Sequence, residues 1–179
     1  MDHLIPYLKA HFDKLEDRMC SFAAHGVIVE GWFKGELLAT LDLLVHRRVI
    51  ERIDREVPYH GRRRIDLFVQ SGGPHWIELK HWLVGEQRGT SYGPHFYFSD
   101  TRRSGILGDV DKLAELDRSK GRWLLVLLTA NPGRSDWQAG LDHFNHKFAP
   151  RQLRSLTDPT DFPDSYFLGL LAVLAGAVT

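Results

Sequence analysis

"RRIDLFVQSGGPHWIELKHW", residues 63–82, holds two alternating runs about a glycine pair. Ile65, Leu67 and Val69 alternate in its first half. Ile77, Leu79 and, just beyond the quoted stretch, Leu83 continue that alternation in its second, and a Ser-Gly-Gly-Pro turn separates the halves. Alternation on either side of a glycine-rich turn predicts two antiparallel strands of a hairpin. Each strand also carries ionisable side chains among its apolar ones: Asp66 in the first, Glu78 and Lys80 in the second. If the turn is centred on Gly72, Asp66 lies directly opposite Glu78, with Cβ atoms roughly 4.5 to 5.5 Å apart. Lys80 then shares their face, because strand side chains alternate. A two-residue turn with perfect pairing would send the two acids to opposite faces, and a bulge at the glycine pair would restore the match.

Outward from the hairpin, Val49, Ile53 and Val57 mark a strand ending at Pro58, so the three strands form an antiparallel meander. Before it, Phe33, Leu37, Leu41 and Leu44 set the apolar face of a helix from about Trp32 to Arg48, with Glu36 in its first turns. Earlier still, Leu4, Leu8, Phe12, Leu15, Met19 and Phe22 form one stripe of a first helix. Downstream, Ile106, Val110, Leu113 and Leu116 predict a helix stopped at Gly121. Trp123 to Leu128 is a continuous apolar run, expected for a central strand covered on both faces. Ser135 and Gln138 have capping-box spacing at the start of a helix carrying Trp137, Leu141, Phe144 and Phe148. The apolar run from Tyr166 to Val178 is shorter than the roughly 17 to 25 residues of a membrane helix and reads as a buried strand or short core helix.

A chain of 179 residues, 43% apolar and 26% charged, fits one globular domain spanning residues 1–179. Its 23 basic and 23 acidic residues cancel, so affinity for a polyanion has to come from local patches. The single cysteine, Cys20, excludes an internal disulfide framework, and the amino terminus lacks the layout of a signal peptide, so a cytoplasmic protein with no membrane partner is expected. Ten histidines are present, but no Cys or Asp stands at zinc-ligand spacing from them. There is no Gly-rich phosphate loop, nucleophile elbow or dinucleotide fingerprint.

Opposed, partly desolvated carboxylates repel each other, and a divalent cation would remove the conflict. Hard oxygen ligands suit Mg²⁺, which typically combines one or two carboxylates with substrate phosphate oxygens. The bland alternative is a cross-strand ion-pair cluster on a solvated sheet face.

Asp66, an interval of eleven residues, then Glu78-Leu79-Lys80 resembles the signature of the PD-(D/E)xK, or restriction-endonuclease-like, nuclease superfamily. Ile65 stands where the literal motif has proline. The order from Trp32 to Leu128 is similar to that superfamily's α-β-β-β-α-β core, and "DVDKLAEL" (109–116) resembles a segment seen in several members. The resemblance implies an α/β fold, a mixed central sheet flanked by helices, with an extra N-terminal helix and C-terminal helix or strand. It implies Mg²⁺ or Mn²⁺ held by Asp66, Glu78, the Leu79 carbonyl and Glu36, with Glu30 and Glu56 as substitutes for Glu36. Lys80 would orient or help deprotonate the attacking water. The expected activity is metal-dependent phosphodiester hydrolysis of DNA or RNA.

The segment 84–105 mixes glycine, arginine and aromatics without periodicity. Arg88, Tyr92, Arg102 and Arg103, together with Arg64, are therefore candidate substrate contacts, arginines for phosphates and aromatics for stacked bases. The segment reads equally as an ordinary connection, or as core through Phe96 and Phe98. Two rival readings remain: a nuclease-like scaffold serving as a non-catalytic binding or assembly module, and an unrelated α/β interaction protein. Exposed Trp and Phe would suit a homodimer as well as a substrate.

Overall fold

The structure is a computed structural model that describes residues 1–61, 63–87, 90–101, 105–117 and 120–174. The apolar stripe of the amino terminus forms not one helix but two, α1 (Ile5–Phe12) and α2 (Glu16–His25), interrupted by a 3₁₀ turn at Asp13–Leu15. Leu4, Leu8, Phe12 and Met19 of that stripe are buried. Gly26 ends α2 in the left-handed conformation, φ 62°, which glycine adopts without a Cβ clash. Helix α3 (Glu30–His46) buries Phe33, Leu37, Leu41 and Leu44, as its periodicity predicts.

Strands β1 (Arg52–His60), β2 (Arg63–Gln70) and β3 (Pro74–Leu83) form the expected antiparallel meander. A ribbon of β4 (Gly85–Gln87) and β5 (Thr90–Tyr92) and then helix α4 (Pro94–Ser99) follow, so segment 84–105 is not a structureless connection. Helix α5 (Leu107–Ala114), strand β6 (Gly121–Thr129), helix α6 (Arg134–Lys147) and strands β7 (Gln152–Ser155) and β8 (Phe167–Leu174) complete the chain. Gly133 caps α6 and no side chain does, so the capping-box expectation fails: the helix starts at Arg134, which puts Ser135 inside it.

The result is a mixed α/β fold around a six-stranded sheet ordered β1-β2-β3-β6-β8-β7. Only β3 and β6 run parallel; the other neighbours are antiparallel. Strand β6 is interior, and Leu124 to Leu128 are essentially inaccessible. Of the last apolar run, Phe167–Leu174 is a strand. No helix among the described residues is long and apolar enough to cross a membrane.

Both sheet faces are covered. His81 and Trp82 are consecutive and point to opposite faces. The Val29 N–H, at the start of α3, donates to His81 Nδ1 (3.3 Å), whereas Trp82 stacks on Tyr97 of α4 (4.9 Å) and touches Trp137 of α6. Helices α3 and α4/α6 therefore lie on opposite sides of the site strand.

Candidate active site at the fork between β2 and β3

Ser71, Gly72 and Gly73 form a three-residue turn closed by the Gln70–Pro74 pair, with φ of 61° and 149° at the glycines. Those angles explain the glycine pair, since L side chains rarely adopt them. The pairs Gln70–Pro74, Val69–His75, Phe68–Trp76 and Leu67–Ile77 follow the register of a turn centred on Gly72. Asp66 and Glu78 are the next positions in that register. There the backbone ladder gives way to side chains: the Leu79 N–H donates to Asp66 Oδ2 (3.0 Å), and the Asp66 N–H donates to Glu78 Oε1 (3.4 Å). The strands fork at this point, and the Asp66 carboxylate sits in the fork. A third acid joins the row, because Arg55–Leu67 and Val57–Ile65 bracket Glu56 against Asp66 from β1.

Three lysines interleave with the acids. Lys34 of α3 bridges Asp66 Oδ1 (2.9 Å) and Glu56. Lys112 of α5 lies 2.7 Å from Glu78 Oε2 and 4.0 Å from Asp109 Oδ1. Lys80 lies 2.8 Å from Asp109 Oδ2, a contact of opposite charges without hydrogen-bond alignment. Followed from one end to the other, the cluster runs Lys80, Asp109, Lys112, Glu78, Asp66, Lys34, Glu56. With every group ionised, signs alternate at every step but one, Glu78 to Asp66.

That junction is where the electrostatics are unfavourable. Glu78 is only 2% exposed; burial, and then the Asp66 charge, push its carboxyl up to about 8, against the pull of Lys112. Burial also pushes Asp66 up, but the Leu79 N–H and the Lys34 ammonium outweigh it and hold Asp66 below the usual carboxylate value. Phe68 and Trp76, paired edge-to-face at 5.0 Å two residues from the fork, add to the apolar surroundings on the hairpin.

One ligand expectation needs correction. Glu36 is not at the fork; its carboxylate meets His11 (2.9 Å) and Arg18 (3.8 Å). The cause is helical phase: Phe33, Leu37 and Leu41 fix which side of α3 faces inward, and Lys34 and Glu36, two residues apart, point in nearly opposite directions. Lys34, not an acid, therefore reaches Asp66 from this helix. Tyr92 packs edge-to-face on Phe96 (4.9 Å) in the β5–α4 region and makes no described contact with the fork. Phe98 is core and Phe96 is exposed. Arg64 is exposed and donates to the Glu56 carbonyl (3.0 Å). Arg88, Arg102 and Arg103, like Arg62, lie outside the described residues.

Sequence reasoning missed Lys34, Asp109 and Lys112. Asp109 and Lys112 stand three apart, a spacing that places both on one side of a helix, and that was the available signal for α5. Beside this cluster opens a cleft of about 440 Å³, with Tyr59, Arg63, Arg64 and Lys112 in its lining.

At most one divalent cation could be held here. Among the described residues, no group of three or more His, Cys, Asp or Glu side chains converges as a ready cage. Asp66 and Glu78 offer hard oxygens at a junction of like charge, which is the donor chemistry Mg²⁺ or Mn²⁺ takes. Because a strand residue's N–H and C=O lie on the same edge, the Leu79 carbonyl faces the fork too. Two of the four carboxylate oxygens are engaged by ammonium groups on flexible stems, so a cation would have to displace Lys112, Lys34 or both.

Comparison with protein-family models, with curated proteins and with solved structures finds no match. The structure is thus that of a mixed α/β protein with a charged, half-buried cluster at a strand fork.

Proposed function

We propose that the protein hydrolyses phosphodiester bonds in DNA or RNA with a bound Mg²⁺ or Mn²⁺, as a PD-(D/E)xK-type nuclease. The observation that carries the reading is the like-charge junction of Asp66 and Glu78 at the fork, with Lys80 one alternation along the same strand. The order α3, β1, β2, β3, α5, β6 supports a restriction-endonuclease-like core, with α1, α2, α6, β7 and β8 as additions.

Asp66, Glu78 and the Leu79 carbonyl would hold the ion, whose contribution is to polarise the phosphoryl group and lower the pKa of a bound water. Lys80, one alternation along the strand from Glu78 and paired with Asp109, would orient the water and offset negative charge on the phosphoryl oxygens. Burial of Glu78 strengthens each of these interactions by excluding water. Arg64 and Lys112 line the route by which a backbone phosphate would approach.

The test is cleavage of mixed single- and double-stranded DNA and RNA by the purified chain in Mg²⁺, in Mn²⁺ and in EDTA. Metal-dependent cleavage lost in Asp66→Asn, Glu78→Gln and Lys80→Met is the expected outcome; equal cleavage by the variants would overturn it.

One observation favours a second reading. Lys34 and Lys112 already neutralise Asp66 and Glu78, the arrangement expected of a non-catalytic nuclease-like module that binds or assembles without a metal. Such a module would bind nucleic acid equally with and without Mg²⁺ and keep its affinity in Glu78→Gln.

A further inference from the structure

We infer that Lys112 is a movable counter-ion: it competes with a divalent cation for Glu78 and, once displaced, becomes a phosphate ligand in the adjoining cleft. The inference rests on the metal-site reading above and assigns a positioning role to a residue outside the Asp-Glu-Lys motif.

Lys112 belongs to both neighbourhoods. Its Nζ lies 2.7 Å from Glu78 Oε2 and donates to the Arg64 carbonyl (3.3 Å), while the residue lines the cleft. It is also the less firmly held of the two lysines on the acid pair. Lys34 is pinned between two carboxylates, Asp66 and Glu56, whereas Lys112 has one within hydrogen-bond reach, the Asp109 oxygen being 4.0 Å away. A divalent ion bound to Glu78 would stand within a few ångströms of that ammonium, so like charge expels the more weakly held lysine first.

The direction of departure follows from the cleft's charges. Arg63 donates to both Glu115 oxygens (2.9 Å each), and Asp111 is paired with Arg151, so these four groups are already matched. Arg64 has a neutral carbonyl as its acceptor. A Lys112 side chain swung off Glu78 would therefore join Arg64 as a second cation free to meet an anion. A phosphate oxygen is the anionic group that hydrolysis of a phosphodiester brings there. In this scheme the cation's arrival both fills the fork and arms the cleft.

The experiment titrates Mn²⁺ alone into the full chain, reading free ion by electron paramagnetic resonance, for wild type, Lys112→Met, Lys112→Arg and Glu78→Gln. Removing the competitor should tighten Mn²⁺ binding about tenfold in Lys112→Met, while Lys112→Arg stays close to wild type. With Mn²⁺ bound, inorganic phosphate followed by ³¹P relaxation should bind about tenfold more weakly to Lys112→Met. Unchanged Mn²⁺ affinity in Lys112→Met, with binding abolished in Glu78→Gln, would overturn this inference and leave the metal site standing. No Mn²⁺ binding by any form would overturn the metal site itself, and this inference with it. A readout on unmutated protein is reductive methylation followed by mass spectrometry. Lys112 should become several times more reactive when Mn²⁺ is added; unaltered reactivity would count against its release.

Discussion

Two halves of one sheet obey different rules. Across β6 and β8, Leu124 to Leu128 face Phe167 to Leu171 in unbroken antiparallel pairing, and every one of these residues is buried. Across β2 and β3, pairing stops after Leu67–Ile77, and acids and lysines take over from backbone hydrogen bonds. The first region excludes water with apolar atoms that need no partners. The second holds charge out of water, which is costly unless each charge is compensated, and the compensation fails at one junction. A sheet that pairs continuously on one side can carry an unfavourable site on the other, and a carboxylate held close to another is chemically poised rather than idle.

Four predictions would break or sharpen the contrast. The largest effect is on chemistry: Asp66→Asn should reduce Mg²⁺-dependent cleavage by at least about 10³-fold, or about 4 kcal/mol of barrier, with circular dichroism unchanged. Substitution in the other region should do the reverse. Leu125→Ala, in the interior of β6, should cost about 3 kcal/mol in urea unfolding, while the folded fraction retains its cleavage rate.

The third concerns acid. His81 is 7% exposed between Val29 and Thr129, and burial lowers its pKa to about 4. Protonation therefore favours the unfolded chain. The stability held by neutral His81 is complete above about pH 6.5 and drains away as pH falls toward about 4, by about 3 kcal/mol in all. Melting temperature against pH should show this slope in wild type and a shallower one in His81→Gln.

The smallest effect has the opposite sign from an ordinary core mutation. Glu78→Gln keeps the shape and removes a carboxyl that burial and the Asp66 charge make costly to ionise, so without metal at neutral pH it should stabilise by about 1 kcal/mol, raising Tm by about 2 to 4 °C. A lower Tm would mean that the Lys112 pair outweighs the Asp66 repulsion.

The hairpin was legible because its information is local. A glycine pair and odd-numbered apolar residues on both sides mark the two strands and the turn, while the choice between a turn centred on Gly72, which brings Asp66 against Glu78, and a two-residue turn came from the structure. The interior strand at Leu124 to Leu128 was legible because a run covered on both faces carries no polar position. What escaped reading depended on how whole elements lie over the sheet. The apolar face of α3 was legible, but Lys34 and Glu36 stand on opposite flanks of it, and which flank lies over the fork depends on how the helix crosses the sheet. The approach of α5 decides that Lys112 and Asp109 reach β3, and nothing in "DVDKLAEL" states which strand that side will meet. The break between α1 and α2 and the start of α6 at Arg134 lie at element boundaries, where local signals compete most evenly.

The central claim is that the Asp66–Glu78 junction accepts one divalent cation. Calorimetric titration of Mn²⁺ into metal-free protein tests it most directly. One ion per chain should bind to wild type and to Glu36→Gln, and none to Asp66→Asn or Glu78→Gln. Absence of binding to wild type, or binding that persists in both fork variants, would contradict it.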